Sequence, residues 1–133
     1  MSNKKLGNTF EEELCERLSE YGYWCHNIAV KKSGQPADVI AVKNKKAYLI
    51  DAKVCSDNTF DLKRVEENQK TAMELWEMCG NGLGWFALKL TDEQIFFISY
   101  YVMKAYARQK SSLTTKEIHE LGTPIDKWVK KCR

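Results

Sequence analysis

A chain of 133 residues is long enough for one domain with a single core, and 44% apolar residues is ordinary for a globular protein. The 21 Lys and Arg against 18 Asp and Glu leave a net charge of +3, too small by itself to define a partner. No apolar run is long enough to span a membrane, and the polar start from Met1 to Asn8 lacks the apolar core of a signal peptide, so a cytoplasmic protein with no membrane association is expected.

In chain order, Phe10 to Tyr21 has the spacing of an amphipathic helix, with Phe10, Leu14, Leu18 and Tyr21 on one face. Asn8 or Thr9 would cap it, Glu11, Glu12 and Glu13 would complement the positive end of its dipole, and Gly22 would end it. Tyr23 to Val30 reads as a strand and Ser33-Gly34-Gln35-Pro36 as a break. Ala37 to Val42 and Ala47 to Cys55 read as the strands of a hairpin, apolar on both faces and therefore central in a sheet. Ser56 to Asp61 reads as a loop. One helix is predicted from Leu62 to Cys79, closed by Gly80-Asn81-Gly82; its inner stripe of Val65, Gln69, Ala72 and Trp76 points Gln69 at the sheet. Trp85 to Leu90 and Gln94 to Tyr100 are predicted strands, joined at Thr91-Asp92-Glu93, and Val102 to Gln109 a helix. The run from Phe96 to Tyr101 reads as core strand, although such a run would serve an interface if exposed. Thr114 and Glu117 form a capping-box pattern for a short helix ending at Gly122, and Pro124 to Arg133 reads as a tail anchored by Ile125 and Trp128. No repeat or linker divides the chain, so residues 1–133 are read as one domain.

The five cysteines, Cys15, Cys25, Cys55, Cys79 and Cys132, are odd in number and contain no C-x-x-C pair, so small core residues are expected rather than a disulfide framework or a zinc site. His26 and His119 are the only histidines, which argues against a histidine metal cluster and a Ser-His-Asp triad. Between Lys31 and Lys53 stand Lys31, Lys32, Lys43, Lys45, Lys46 and Lys53 against only Asp38 and Asp51, and the end of the chain adds Lys127, Lys130, Lys131 and Arg133. Basic residues around an acidic centre suit a polyanion held near a metal, although lysines also serve simply to solubilise turns.

The hairpin carries the chemistry. If Asn44-Lys45 is a two-residue turn, Lys43 pairs with Lys46, Val42 with Ala47, Ile40 with Leu49, and Asp38 falls opposite Asp51. Alternation then puts Asp38, Asp51 and Lys53 on one face. Two carboxylates opposed across a ladder repel, and a divalent cation between them removes the repulsion. Mg²⁺, with Mn²⁺ as a substitute, takes hard oxygen ligands, which Asp38, Asp51, the Ala52 carbonyl and Glu11 would supply. Lys53 would stabilise the transition state or orient the attacking water, and Gln69 would position Lys53 or that water. A single D-x-K triplet is common by chance, a glutamate at a helix start is normally a dipole complement, and a buried glutamine can simply cap a loop. The agreement of register, face and chemistry is what favours the catalytic reading.

Gly7-Asn8-Thr9-Phe10-Glu11, then Ser33-Gly34-Gln35-Pro36-Ala37-Asp38, then Asp51-Ala52-Lys53 resemble the ordered motifs of the PD-(D/E)XK nuclease superfamily. The segment from Asp51 through Asn58-Thr59-Phe60-Asp61-Leu62 to Asn68-Gln69-Lys70 is similar to RecU-type Holliday junction resolvases, and the opening helix and strand to the Hjc type. The resemblance implies a restriction-endonuclease-like α/β fold, a mixed central sheet flanked by helices, with Mg²⁺-dependent phosphodiester hydrolysis and a homodimer. It makes Glu11, Asp38 and Asp51 metal ligands, Lys53 the catalytic lysine and Gln69 its support. The motif reads Pro-Ala-Asp, one residue longer than the usual Pro-Asp, Asp51 stands where resolvases usually have Glu, Glu12 replaces an arginine of the Hjc type, and the long stalk of the RecU type has no counterpart. The expected function is that of a small resolvase acting on four-way or other branched DNA, with Lys31, Lys32, Lys70, Lys130 and Lys131 along its phosphates. The alternatives are an endonuclease on other branched, damaged or duplex DNA, and a non-catalytic binding module on the same fold.

Overall fold

The computed structural model describes residues 3–28 and 37–131. The elements are α1 (Asn3–Glu20), β1 (Trp24–Asn27), β2 (Val39–Lys43), β3 (Lys46–Val54), β4 (Phe60–Asp61), a 3₁₀ turn at Leu62–Arg64, α2 (Glu67–Met78), β5 (Trp85–Lys89), β6 (Ile95–Ser99), α3 (Tyr100–Ala107), β7 (Ser112–Leu113), α4 (Thr115–Leu121), β8 (Thr123–Pro124) and α5 (Ile125–Lys131). Six strands form one sheet in the order β1-β2-β3-β5-β6-β8, and β4 pairs with β7 beside it. Every neighbouring pair in the large sheet is antiparallel except β3–β5, so the sheet is mixed, as expected.

Asn44 and Lys45 both adopt positive φ, at 52° and 67°, as a two-residue turn matched to strand twist requires. The turn fixes the predicted register: Lys43 faces Lys46, Val42 faces Ala47 and Ile40 faces Leu49. Alternation along β2 and β3 then divides the apolar residues between two cores. On one side Phe10, Leu14 and Leu18 of α1 and Trp128 and Val129 of α5 pack with Val39, Ala41, Ile50, Ala87 and Phe97. On the other, Leu49, Phe86, Leu88, Phe96 and Ile98 meet Met73 of α2, Met103 of α3 and Ile118 of α4. The aromatic run from Phe96 is thus core strand, buried through Ile98 and at Tyr100; only Tyr101 is exposed.

Several elements differ from the predicted ones. α1 runs back through Asn8 and Thr9 to Asn3, so neither residue caps it, and Glu11, Glu12 and Glu13 lie about two turns inside rather than in its first turn. The helix predicted from Leu62 is interrupted. Asp61 caps the 3₁₀ turn by accepting from the Lys63 N–H at 2.9 Å, Val65 and Glu66 are extended, and α2 begins at Glu67. Phe60 and Asp61, read as loop, are a short strand against Ser112 and Leu113. The supposed tail is β8 followed by α5, because Thr123 and Pro124 extend the sheet beside Phe97 and Phe96. Cys79 is exposed rather than a core residue, whereas Cys55 is buried and Cys15 and Cys25 are half-buried; all four thiols are free. The end of the first predicted strand, the Ser33–Pro36 break, Cys132 and Arg133 lie outside the described residues.

Trp128 shows what holds α5 in place. It is 1% exposed, stacks on Phe97 with ring centroids 4.2 Å apart, and meets Tyr48 and Trp85 edge-on. Its indole N–H has no hydrogen-bond partner among the described residues. Trp128→Ala is expected to lower stability by about 3–5 kcal/mol in urea unfolding. Trp128→Phe should recover most of that loss, since it keeps a ring and removes an unsatisfied donor.

Candidate active site

The hairpin register brings Asp38 to Asp51. The ladder ends at the Val39–Ile50 pair, and the Asp38 N–H reaches the Ile50 carbonyl at 3.2 Å. The Asp38 carbonyl accepts from the Ile28 N–H at 2.8 Å, and its Oδ2 accepts from the Ala52 N–H at 2.8 Å. Three main-chain contacts therefore aim this carboxylate. The N–H and C=O of a strand residue point to the same side, so the Ala52 carbonyl also faces β2.

Asp51 sits in the middle of the sheet at 1% exposure. Its Oδ1 accepts from the Gln69 side-chain amide at 3.2 Å, and its Oδ2 lies 3.1 Å from Lys53 Nζ. The Lys53 ammonium and the Asp38 carboxyl are the groups that face Asp51 on this side. Gln69 is itself oriented. Its Oε1 accepts from the Glu66 N–H at 3.1 Å in the capping box that starts α2, which turns its NH₂ group toward Asp51. Sequence reading pointed Gln69 at the sheet, as found, but gave it Lys53 or a water as partner where the structure has Asp51, and missed Glu66. The E-x-x-Q spacing was the available signal, hidden because glutamate is an uncommon N-cap.

Glu11 is half-buried in α1 and hydrogen-bonds to Asp38; burial first, then the Asp38 charge and that hydrogen bond, push its pKa up to about 8. Asp51 is also raised well above the carboxylate range, by burial first and then by Asp38, with Lys53 opposing. The acids thus form a row, Glu11–Asp38–Asp51, joined through Asp38. As they stand, no three His, Cys, Asp or Glu side chains among the described residues close round one point that could hold a metal. The row nevertheless fits a hard divalent cation. It offers carboxylate oxygens held against one another, an inward carbonyl at Ala52, and a buried Asp51 carboxylate beside Lys53.

The predicted phosphate-contacting lysines do not gather in one place. Lys70 follows Gln69 on α2, half-buried and 3.7 Å from Glu67. It lines a groove of about 760 Å³ with Lys63, Arg108 and Lys110, residues that sequence reading did not single out. Lys130 and Lys131 are exposed on α5, and Lys131 shares a groove of about 500 Å³ with Lys45 and Lys46 at the far end of β3. That end is roughly 17 Å from Asp51 at the rise of a strand. Lys31 and Lys32 lie outside the described residues.

The raised acids give a testable pH dependence. An acid whose folded pKa is raised holds its proton in the fold after the unfolded chain has lost it, so stability falls as pH rises between the two values. For Glu11 that window runs from 4.5 to about 8. Protein kept free of divalent metal is expected to melt at lower temperature at pH 8 than at pH 5.5. Glu11→Gln should flatten this slope, and Mg²⁺ at pH 8 should raise the melting temperature of the wild type, as read by differential scanning calorimetry.

Comparison with known proteins agrees with this fold. The profile of the archaeal Holliday junction resolvase (hjc) family matches residues 2–133. No curated protein sequence matches the chain. Among solved structures, the fold is similar to that of Archaeoglobus fulgidus Hjc, a Holliday junction resolvase from an archaeal hyperthermophile, with a TM-score of 0.71 over 92% of this chain and 99% of that one at 18% identity.

Proposed function

Because the chain belongs to the archaeal Holliday junction resolvase family, it is a nuclease acting on branched DNA, and we propose that it hydrolyses phosphodiester bonds with Mg²⁺ held by Asp38, Asp51, Glu11 and the Ala52 carbonyl. The observation that carries this reading is the row of Glu11, Asp38 and Asp51 beside Lys53. Held by these residues, the cation would supply charge stabilisation on the phosphoryl oxygens and favour deprotonation of an attacking water. Lys53, at 14% side-chain exposure, holds a fixed positive charge toward the same point and acts on charge that grows in the transition state. Gln69 keeps the Asp51 carboxylate in one orientation, so that Oδ2 faces the reaction.

We read residues 1–133 as one nuclease domain, supported by two cores that share one sheet. No helix among the described residues is long and apolar enough to cross a membrane, and free thiols suit the reducing cytoplasm. A four-way junction needs paired nicks in two strands of like polarity, and one such domain holds one site, so a two-fold homodimer is the simplest assembly. Lys70 would follow phosphates next to the site, Lys31 and Lys32 the same strand, and Lys130 and Lys131 a more distant arm.

Three experiments test this. A synthetic four-way junction should be cut faster than a fork or a linear duplex in Mg²⁺, and not at all in EDTA, with the protein dimeric in analytical ultracentrifugation. Lys53→Ala should lower the single-turnover cleavage rate about a hundredfold or more while leaving junction affinity nearly unchanged. Loss of affinity in proportion to rate would reduce Lys53 to a phosphate clamp. Asp51→Asn should abolish cleavage and calorimetric Mn²⁺ binding, yet raise stability at pH 8 without metal, because a buried carboxylate facing another is removed.

A further inference from the structure

β1 is the edge strand of the sheet, and the residues facing one another across it share a side: Trp24 faces Val42 and His26 faces Ile40. Ile40 is two residues from Asp38, so Trp24 and His26 lie on the same side of the sheet as Asp38, Asp51 and Lys53. Strand geometry puts His26 roughly 8 Å and Trp24 roughly 14 Å from Asp38. On this side Gln69 of α2 reaches Asp51 of β3 and Met73 packs in one core with Leu49, Phe86 and Leu88. Trp24 is 62% exposed and His26 is exposed, although tryptophan is ordinarily well buried. Their rings are nearly parallel, 11° apart in plane with centroids 6.1 Å apart. Apart from Asp38 and Asp51, no described residue on this side of β1, β2 and β3 is acidic.

From this placement we infer that Trp24 and His26 form a stacking platform for a nucleobase of the strand being cut, unpaired at the branch point, while its backbone lies at the carboxylates. The inference rests on the nuclease reading above. A strand whose phosphate reaches Asp38 and Asp51 must continue over one neighbouring surface, and among the described residues the exposed one toward the sheet edge is aromatic and free of repelling carboxylates. A flat indole contributes to holding any base without reading its identity, and branched DNA presents bases that have lost a stacking neighbour. Trp24 would thereby select for branches where continuous duplex offers no free base face.

The test replaces Mg²⁺ by EDTA, so that binding is measured without cleavage, and uses a four-way junction carrying 2-aminopurine at the branch point and a linear duplex of equal length. Trp24→Ala should weaken junction binding about fivefold to a hundredfold and abolish the 2-aminopurine quenching seen with wild type, with duplex affinity unchanged. Trp24→Phe should retain most of both, and His26→Ala should lose less than Trp24→Ala. Unchanged junction affinity in Trp24→Ala, or an equal loss for linear duplex, overturns the proposal. So does a dimer that becomes monomeric on Trp24→Ala, which would assign the surface to a second copy of the chain. Failure of the nuclease reading would show separately, as wild-type protein that quenches 2-aminopurine yet cuts no DNA in Mg²⁺.

Discussion

A carboxylate at 1% exposure in the central strand of a sheet is the constraint around which the rest of the structure is arranged. An isolated ionised group in that position is strongly disfavoured, and each neighbour of Asp51 answers part of the difficulty. Gln69 donates to one oxygen, Lys53 places a cation beside the other, and Asp38 carries a second acid that is tolerable only if a proton or a cation is shared. α2 starts where it does because Glu66 and Gln69 close a capping box there, and the same box points the glutamine amide at Asp51. Helix initiation and site assembly are one event.

The acids also explain why a nuclease of this kind tolerates instability in its centre. Without a cation, Glu11 and Asp51 hold protons more tightly than ordinary carboxylates, and the cause is burial together with mutual repulsion. On the proposed metal-bound reading, that unfavourable energy would become binding energy for a divalent ion, which would favour the charged forms of the acids. The departure from the usual resolvase pattern, aspartate for glutamate at position 51, keeps the carboxylate close to the strand, within reach of both the α2 amide and the Lys53 ammonium.

The placement of Asp38, Asp51 and Lys53 was legible because it is encoded locally. The Asn44-Lys45 turn sets the register, the register sets the partner of Asp38, and alternation sets the face of Lys53, all within sixteen residues. Glu11 was the weaker reading, since a glutamate at a helix start is normally a dipole complement; the extension of α1 to Asn3 removes that explanation. The break before α2 was hidden because Leu62 and Val65 fit a continuous helical stripe, and only their tertiary contacts separate them: the Leu62 N–H is taken by the Ser111 carbonyl. α5 was hidden for a similar reason. Its lysines resemble a solvated end, and nothing local reveals that Trp128 lies under Phe97. The exposure of Trp24 was equally illegible, because an aromatic beside Tyr23 reads as core until the sheet edge is known.

The single parallel pair, β3 with β5, has a consequence for how the protein is made. Every acid of the row, Lys53 and Gln69 lie N-terminal to Trp85, yet β3 has no partner on its second side until β5 exists. A nascent chain stopped before Trp85 would contain the full set of ligands and still leave β3 as an open edge, with Asp51 in water and α2 without the strand it covers. The row of acids is therefore enclosed in the sheet only after synthesis has passed the residues that form it.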